Sequence, residues 1–438
     1  MTYEEVQNYL FDKLPMFQRI GPAAYKADLS NTLALCQYLN QPQQFLPCIH
    51  VAGTNGKGSS SHMLAAVLQR CGYKTGLYTS PHLLDYRERI KINGNCIEKD
   101  YITQFVSKHK NILEQLHLSF FEWTVGLAFS YFKEQAVDVA VIEVGLGGRL
   151  DSTNVINPLV SLITNISFDH QALLGSTLPQ IATEKAGIIK PGIPVVISQS
   201  QTETNAVFIA KAQSCKSSWC MADQQYSCTV QDAGQEYQTV EVYNTSSQTK
   251  KQYTLDLTGH YQKFNLPGVL CVLDHLSRLG FNLPEQSVKE ALKNVKSLTG
   301  LMGRWQIIKP KPYTVADTAH NLDGILQILM HIKSLKKQQV HMVFGVVRDK
   351  SIESILGILP NSFMYYFVCP ELPRGLPAEE LKALACSLHL EGEAYASVWE
   401  GYSAALSRAT EADLIFIGGS TFVVADFLKH NTVLTPHS

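Results

Sequence analysis

The sequence has little of what would place it in a membrane or outside the cell. No apolar run approaches the roughly 20 residues that a membrane-spanning helix needs. The chain opens Met1-Thr2-Tyr3-Glu4-Glu5-Val6, with neither a basic start nor an apolar stretch, so a secretory leader is not expected. An excess of one charge is also missing. Lys and Arg number 37, Asp and Glu 38, and the formal net charge of −1 offers no field for nucleic acid or an anionic bilayer. Anionic substrates must then be held by local lysines, arginines, amides and metal. The ten cysteines are scattered, with no CxxC and no histidine-rich ligand spacing. That argues against a zinc module and reads as free thiols of a reducing cytosol. Internal repeats and low-complexity tails are absent. A soluble cytoplasmic protein is the expectation.

What is present is enough for two cores: 438 residues, 45% of them hydrophobic. Helical patterns at 3–14 and 29–39 precede an alternation of strands and helices. Apolar runs at 48–51, 75–79, 137–144, 159–165 and 194–198 predict a mainly parallel α/β sheet. Residues 226–230, 239–243 and 252–257 alternate polar and apolar positions around turn residues, and predict a small antiparallel excursion. Helices are expected at 265–279 and 285–295. Lys296 to Arg304 reads as a linker. A second α/β alternation follows, with strands at 313–316, 340–344, 364–368 and 414–417. The expected division is 1–297 for an ATP-binding P-loop domain and 298–438 for a smaller Rossmann-like domain.

The chemistry gathers at strand ends. Gly53-Thr54-Asn55-Gly56-Lys57-Gly58-Ser59 follows the strand at 48–51 and precedes a helical pattern from Ser61 to Leu68. Glycines let backbone amides converge, a helix N-terminus favours anions, and Lys57 can meet the outer phosphates of a nucleotide. The strict P-loop spacing fails at Val51, where a glycine is usual, and at Gly58, where Ser or Thr is usual. The run Val137–Glu143 is an apolar strand ending in a carboxylate, an arrangement suited to Mg²⁺, which takes oxygen ligands and keeps waters. Ser80, after the strand at 75–79, can supply the hydroxyl that Gly58 lacks; a plain turn before Pro81 is the other reading. His170 and Lys185, taken alone, are ordinary residues. Ligands of parallel sheets lie beyond the carboxyl ends of strands, so residues far apart in sequence can share one site.

Several further segments recur together: Tyr78-Thr79-Ser80-Pro81-His82-Leu83, Arg87-Glu88-Arg89-Ile90, Glu143 to Asn154, Asp169-His170, Glu184 to Lys190, Gly259 to Asn265 and Asp317-Thr318-Ala319-His320-Asn321. With the glycine loop, from about Tyr9 to Asp426, they resemble the folylpolyglutamate synthases and dihydrofolate synthases of the Mur ligase superfamily. The resemblance implies ATP-dependent addition of L-glutamate to dihydropteroate and to folates through an acyl phosphate. It implies two Mg²⁺ ions held by Ser80, Glu143 and His170, and a carbamylated Lys185. It places Gly53 to Ser59, Asn265, Arg304 and Asp317 on ATP, with Asn265 at the adenine, and His320 near the transferred phosphate as a catalytic group beside Lys57 and Lys185. Arg87, Phe121 and Asp151 are the implied substrate contacts; Phe121, among aromatics at helical spacing, also reads as core. Met302, Gln306 and Leu322 depart from the family's usual proline, glutamate and proline. A monomer is expected, with no nucleic-acid or membrane partner. Three readings remain open at this point: a bifunctional ligase, a monofunctional folylpolyglutamate or cell-wall ligase, and a nucleotide-binding module without ligase chemistry.

Overall fold

The computed structural model describes residues 1–16, 21, 28–348 and 352–434. The chain divides into two compact units. The first comprises Met1–Ala233, Tyr237–Asp256 and Gln262–Leu301; the second comprises Gly234–Glu236, Leu257–Tyr261 and Met302–Ser438. The last dividing point lies past the expected 297/298 because a helix, Val295–Thr299, packs into the first unit.

Among the described residues, the first unit is built on an eight-stranded sheet. Its strands are β1 (Cys48–Ala52), β2 (Thr75–Tyr78), β3 (Ile90–Ile92), β4 (Asn95–Cys96), β5 (Val139–Glu143), β6 (Val160–Ile163), β7 (Val195–Ile197) and β8 (Trp219–Met221). Their spatial order is β4-β3-β2-β5-β1-β6-β7-β8. From β2 to β8 every pairing is parallel; β3 and β4 turn back antiparallel. β1 and β5 are buried along their whole length, as apolar runs covered on both faces must be. The segment 83–92 holds a 3-10 turn, Tyr86–Arg89, followed by β3. Asp85 caps that turn and accepts from the Arg87 amide.

The antiparallel excursion is a three-stranded sheet of β9 (Tyr226–Ala233), β10 (Gln238–Asn244) and β11 (Thr249–Leu255). Val240, Val242, Tyr253 and Leu255 are its buried face. The Gln262–Arg278 helix follows and packs on β9, β6 and β7. The second unit carries a six-stranded sheet among the described residues, in the order β12-β13-β17-β14-β15-β16. These are β12 (Gln306–Lys309), β13 (Tyr313–Ala316), β14 (Val340–Phe344), β15 (Met364–Phe367), β16 (Gly392–Ala394) and β17 (Leu414–Gly418). All pairings are parallel except β12 with β13.

The chain leaves the first unit under firm control. Thr299 donates its hydroxyl to Val295 O at 2.6 Å, so His62 Nδ1, 2.7 Å away, is the donor to Thr299. Gln69 Nε2 donates to Leu298 O at 2.6 Å. The buried Lys91 ammonium donates to Thr299 O at 2.8 Å and Gly300 O at 3.3 Å. The expected linker at 296–304 is therefore helical and pinned through Thr299. Lys91→Met keeps most of the aliphatic stem but strands two carbonyls, which costs about 1–3 kcal/mol. The urea midpoint of the first unit should fall accordingly; an unchanged midpoint would mean that Lys91 does not hold the exit.

Candidate active site

The loop after β1 is shaped by what crowds it. Thr54 N donates to Asn165 O at 2.7 Å, and Asn55 N to Asn165 Oδ1 at 2.8 Å. Thr164 Oγ1 donates to Asn55 O at 2.6 Å, and Asn55 Nδ2 to Ser167 Oγ at 3.1 Å. The chain leaving β6 thus braces the loop. Gly53 has φ +142°, and a Cβ there would lie 1.8 Å from Thr164 Oγ1. Gly56 has φ +89°, and a Cβ there would meet Asn265 Oδ1 at 2.2 Å. Only glycine satisfies both the backbone and the space. The helix begins earlier than Ser61: it spans Lys57–Arg70, so Lys57, Gly58 and Ser59 are its first turn, with their amides at an anion-favouring end.

Two amines converge on the Gly53 carbonyl. Lys57 Nζ lies 3.1 Å from Gly53 O and 3.1 Å from Thr54 O. Lys185 Nζ lies 2.8 Å from Gly53 O. Lys185 is buried at the end of the Leu178–Ala186 helix. Burial, then the Lys57 charge, push its amine down to about 7, against the opposing pull of Asp169 and Asp151.

The metal candidates stand on neighbouring strands. Glu143 ends β5 in register with Val51 of β1 and is buried. Its Oε2 accepts from Ser80 N at 3.1 Å, which brings Ser80 beside it. His170 follows β6 with φ +51°, opens the Gln171–Leu174 turn, and holds Nε2 3.8 Å from Asp169 Oδ1. Among the described residues, no three His, Cys, Asp or Glu side chains gather into a metal cage. A buried carboxylate next to a serine suits Mg²⁺, which shares its shell with phosphates and water.

The substrate candidates fare unevenly. Phe121 lies partly buried where a Cβ on Gly145 would touch its ring at 2.4 Å, and it meets Tyr78 edge-on. Asp151 is a loop clamp. Its carboxylate accepts from Leu146 N at 2.8 Å, Thr153 N at 3.0 Å and Thr153 Oγ1 at 2.5 Å. Arg87 pairs with Asp85 at 2.8 Å and lies over the Tyr3 ring. The neighbouring Arg89, part of the same recurring segment, is not among the expected substrate contacts. It is buried, donates to His82 Nδ1 at 2.8 Å, lies over Phe120, and feels the Glu143 charge. Its signal was its place immediately before a strand, where the side chain turns inward.

Gln262 and Asn265 brace the glycine loop from the other side. Gln262 Nε2 donates to the buried Ser59 Oγ at 3.1 Å, and Asn265 Nδ2 donates to Gln262 Oε1 at 2.8 Å. In the second unit, Asp317 follows β13 and is buried. It accepts from Tyr261 OH at 2.7 Å, Trp305 N at 2.6 Å and Ala319 N at 2.9 Å. These contacts fix the turn that carries Arg304, whose guanidinium reaches Gly303 O and Thr318 Oγ1. Burial pushes the Asp317 carboxyl up, against the pull of Arg304. His320 Nδ1 lies 2.9 Å from Thr318 O.

Residues 51–273 match the Mur ligase middle domain and residues 303–421 the Mur ligase glutamate ligase domain. Folylpolyglutamate synthase of Lacticaseibacillus casei is 33% identical over 95% of this chain and 96% of its own. The chain belongs to the folylpolyglutamate synthase/dihydrofolate synthase family of Mur ligases. Dihydrofolate synthase/folylpolyglutamate synthase of Bacillus subtilis is 28% identical, covering 98% of this chain and 99% of its own. Among solved structures, Escherichia coli FolC in complex with DHPP and ADP superposes with a TM-score of 0.87 at 26% identity, covering 99% of this chain and 98% of that one. In this ligase family frame, the middle-domain match contains Lys57, Ser80, Glu143, His170, Lys185 and Asn265. The glutamate-ligase match contains Arg304, Asp317 and His320.

Proposed function

We propose that this protein is an ATP-dependent ligase that joins L-glutamate to the carboxylate of dihydropteroate and of folates. The observation that carries the reading is the braced glycine loop at a helix N-terminus, with Lys57 and Lys185 on one carbonyl and the Ser80–Glu143 pair on the adjacent strands. The substrate carboxylate attacks the γ-phosphorus of ATP, and ADP leaves. The glutamate amine then attacks the acyl carbon, phosphate leaves, and a proton is lost from nitrogen. Lys57 exchanges its carbonyl partners for phosphate oxygens and spreads their charge. Ser80, Glu143 and His170 would hold Mg²⁺. When bound, the metal neutralises phosphate charge. Asn265 is assigned to adenine and Arg304 and His320 to the phosphates, on the family resemblance, with Asp317 setting the Arg304 turn. Phe121 is kept as a pterin-side contact; Arg87 and Asp151 are kept as residues that shape the surrounding loops. One chain acts as a monomer in the cytoplasm.

The test is ADP release with dihydropteroate or tetrahydrofolate, each with and without L-glutamate. Glutamate-dependent turnover with both is expected. Turnover with tetrahydrofolate alone would give the monofunctional reading, which the Lacticaseibacillus casei relative, named folylpolyglutamate synthase, favours. ADP release indifferent to glutamate would overturn the ligase. In the same assay Lys57→Ala should lose at least ~100-fold in turnover, and Arg304→Ala should raise the KM for ATP; normal values for either would cancel that residue's role.

Glu143→Gln keeps the shape of the side chain and removes its charge. It should raise the magnesium concentration for half-maximal rate. A superimposable magnesium titration would count against Glu143 as a ligand.

Lys185 is proposed to work as a carbamate. Carbamate forms only on a neutral amine, and an amine held down at about 7 becomes mostly neutral as the pH rises through 7. An ordinary lysine at ~10.4 is almost wholly charged there. Incorporation of ¹³CO₂ should therefore climb through pH 7 and level off near pH 8, and vanish in Lys185→Ala. A Lys185 amine that stays unmodified at pH 8 with excess bicarbonate would refute the carbamate.

A further inference from the structure

β1 carries one polar residue among apolar ones. His50 lies between Ile49 and Val51, fully buried, in register with Ile142 of β5 and Ser161 of β6. Burial, then the Lys190 charge, push its imidazole down to about 3, so the ring is neutral at neutral pH. Its Nε2 lies 2.9 Å from Thr153 Oγ1. The Thr153 hydroxyl has one proton, which it donates to Asp151 Oδ1 at 2.5 Å. His50 Nε2 is then the N–H donor, and Nδ1 is bare. That Nδ1 is buried without a hydrogen-bond partner. An unpartnered buried nitrogen carries a desolvation cost that an apolar side chain at this point of β1 would not. What histidine supplies, and an apolar residue does not, is the Nε2–H.

From that donor the contacts run to Lys185. Asp151 Oδ2 accepts from Leu146 N at 2.8 Å, and Asp151 N donates to Gly148 O at 3.1 Å, so Asp151 closes the 145–151 turn on itself. The turn is seated on the last residues of the Leu178–Ala186 helix. Arg149 N donates to Glu184 O at 2.7 Å, and its guanidinium pairs with the Glu184 carboxylate at 2.9 Å. A Cβ on Gly148 would lie 2.9 Å from both Glu184 O and Lys185 O. The Asn154 amide donates to Arg149 O at 3.0 Å and to Gly187 O at 3.1 Å. Lys185 Nζ in turn reaches Gly53 O at 2.8 Å, just past the end of the strand that carries His50. Strand, hydroxyl, carboxylate, turn, helix and amine thus form a closed ring.

We propose that His50 is a positioning residue for Lys185: through Thr153 and Asp151 it holds the 145–149 turn against the Leu178–Ala186 helix and so keeps the Lys185 amine on Gly53 O. This role rests on Lys185 working in the ligase reaction; the hydrogen-bond chain does not. ATP binding is spared, because Thr54 and Asn55 are braced from β6, outside the ring.

The test uses full-length variants in the glutamate-dependent ADP-release assay. Thr153→Val removes the hydroxyl and keeps the shape. His50→Leu removes the donor, and His50→Gln places an amide N–H at about the reach of Nε2. Thr153→Val and His50→Leu should each lower kcat about ten-fold, while each still binds one ATP per chain with the wild-type Kd. A full count of ATP sites excludes a misfolded fraction. His50→Gln should recover most of the wild-type kcat. The double variant of Thr153→Val with His50→Leu should be no slower than Thr153→Val, because the two groups act in one chain. In the wild type, ¹⁵N NMR should show the His50 ring protonated at Nε2 and bare at Nδ1. A proton on Nδ1, losses that multiply in the double variant, or wild-type kcat in Thr153→Val would each overturn the role of His50. Wild-type turnover in Lys185→Ala, with the Nε2 tautomer present, would instead unseat Lys185 and leave the hydrogen-bond chain standing.

Discussion

Two primary amines on one carbonyl oxygen set the terms for the rest of the site. Lys57 and Lys185 sit 3.1 and 2.8 Å from Gly53 O, so their nitrogens are no more than about 6 Å apart. Two full charges at that separation repel by roughly 3 kcal/mol at an effective dielectric of 20. Lys185 carries the larger burden because it is buried, and its lowered basicity is the result. Two amines held this close repel each other, against the opposing pull of Asp169 and Asp151 on Lys185. An anion at Lys57, or a negative group built onto Lys185, relieves that repulsion. Gly53 must keep φ +142° for its carbonyl to point at both amines, and Thr164 behind it leaves no room for a side chain.

That loop is held between two braces with different chemistry. On one side, Thr164, Asn165 and Ser167 leave β6 and tie down Thr54 and Asn55. On the other, Gln262 and Asn265 approach from a helix more than 190 residues later in the chain. Asn265 fills the space that Gly56 leaves open, so the glycine and the asparagine are one packing decision. The helix that carries Lys57 also holds the exit from the first unit through His62 and Gln69. The proposed phosphate site at one end of Lys57–Arg70 and the anchorage of Val295–Thr299 beside its later turns thus share one element.

Buried central strands were legible because both faces are covered, which forces a continuous apolar run. β13 and β14 begin and end where the hydrophobic pattern does. The edges were not legible. β3, β4, β8, β12 and β16 are two to four residues long. One side of β4, β8, β12 and β16 lacks a strand neighbour among the described residues, and β3 has only the two-residue β4 outside it, so no sustained apolar run is required of them. The motif residues were legible as types, and the strand ends told which of them could meet. What they do with their hydrogen bonds was not. Asp151 is expected from the resemblance as a substrate contact, and the structure shows its oxygens accepting from the loop it closes.

The departures from the family pattern show which parts of a turn are chemically necessary. Gln306 stands where a glutamate is usual, and its Oε1 accepts from Gly303 N at 2.8 Å. An amide oxygen serves as well as a carboxylate for that one bond, because the donor is a neutral backbone N–H. Leu322 stands where a proline is usual, at the first position of the Leu322–Ser334 helix. Proline suits that position because its missing N–H would have had no helical partner, so leucine loses no intrahelical bond. The cap itself is kept by Asn321, whose side chain accepts from Gly324 N. Asp317 has no such substitute. It is buried and satisfies three donors from three parts of the second unit, among them the amide of Trp305, a non-glycine residue at φ +44°. Holding a tryptophan in the left-handed region costs energy, and the Asp317 bond offsets it. The turn that presents Arg304 therefore depends on Asp317 more than on the residues at which this chain departs from its family.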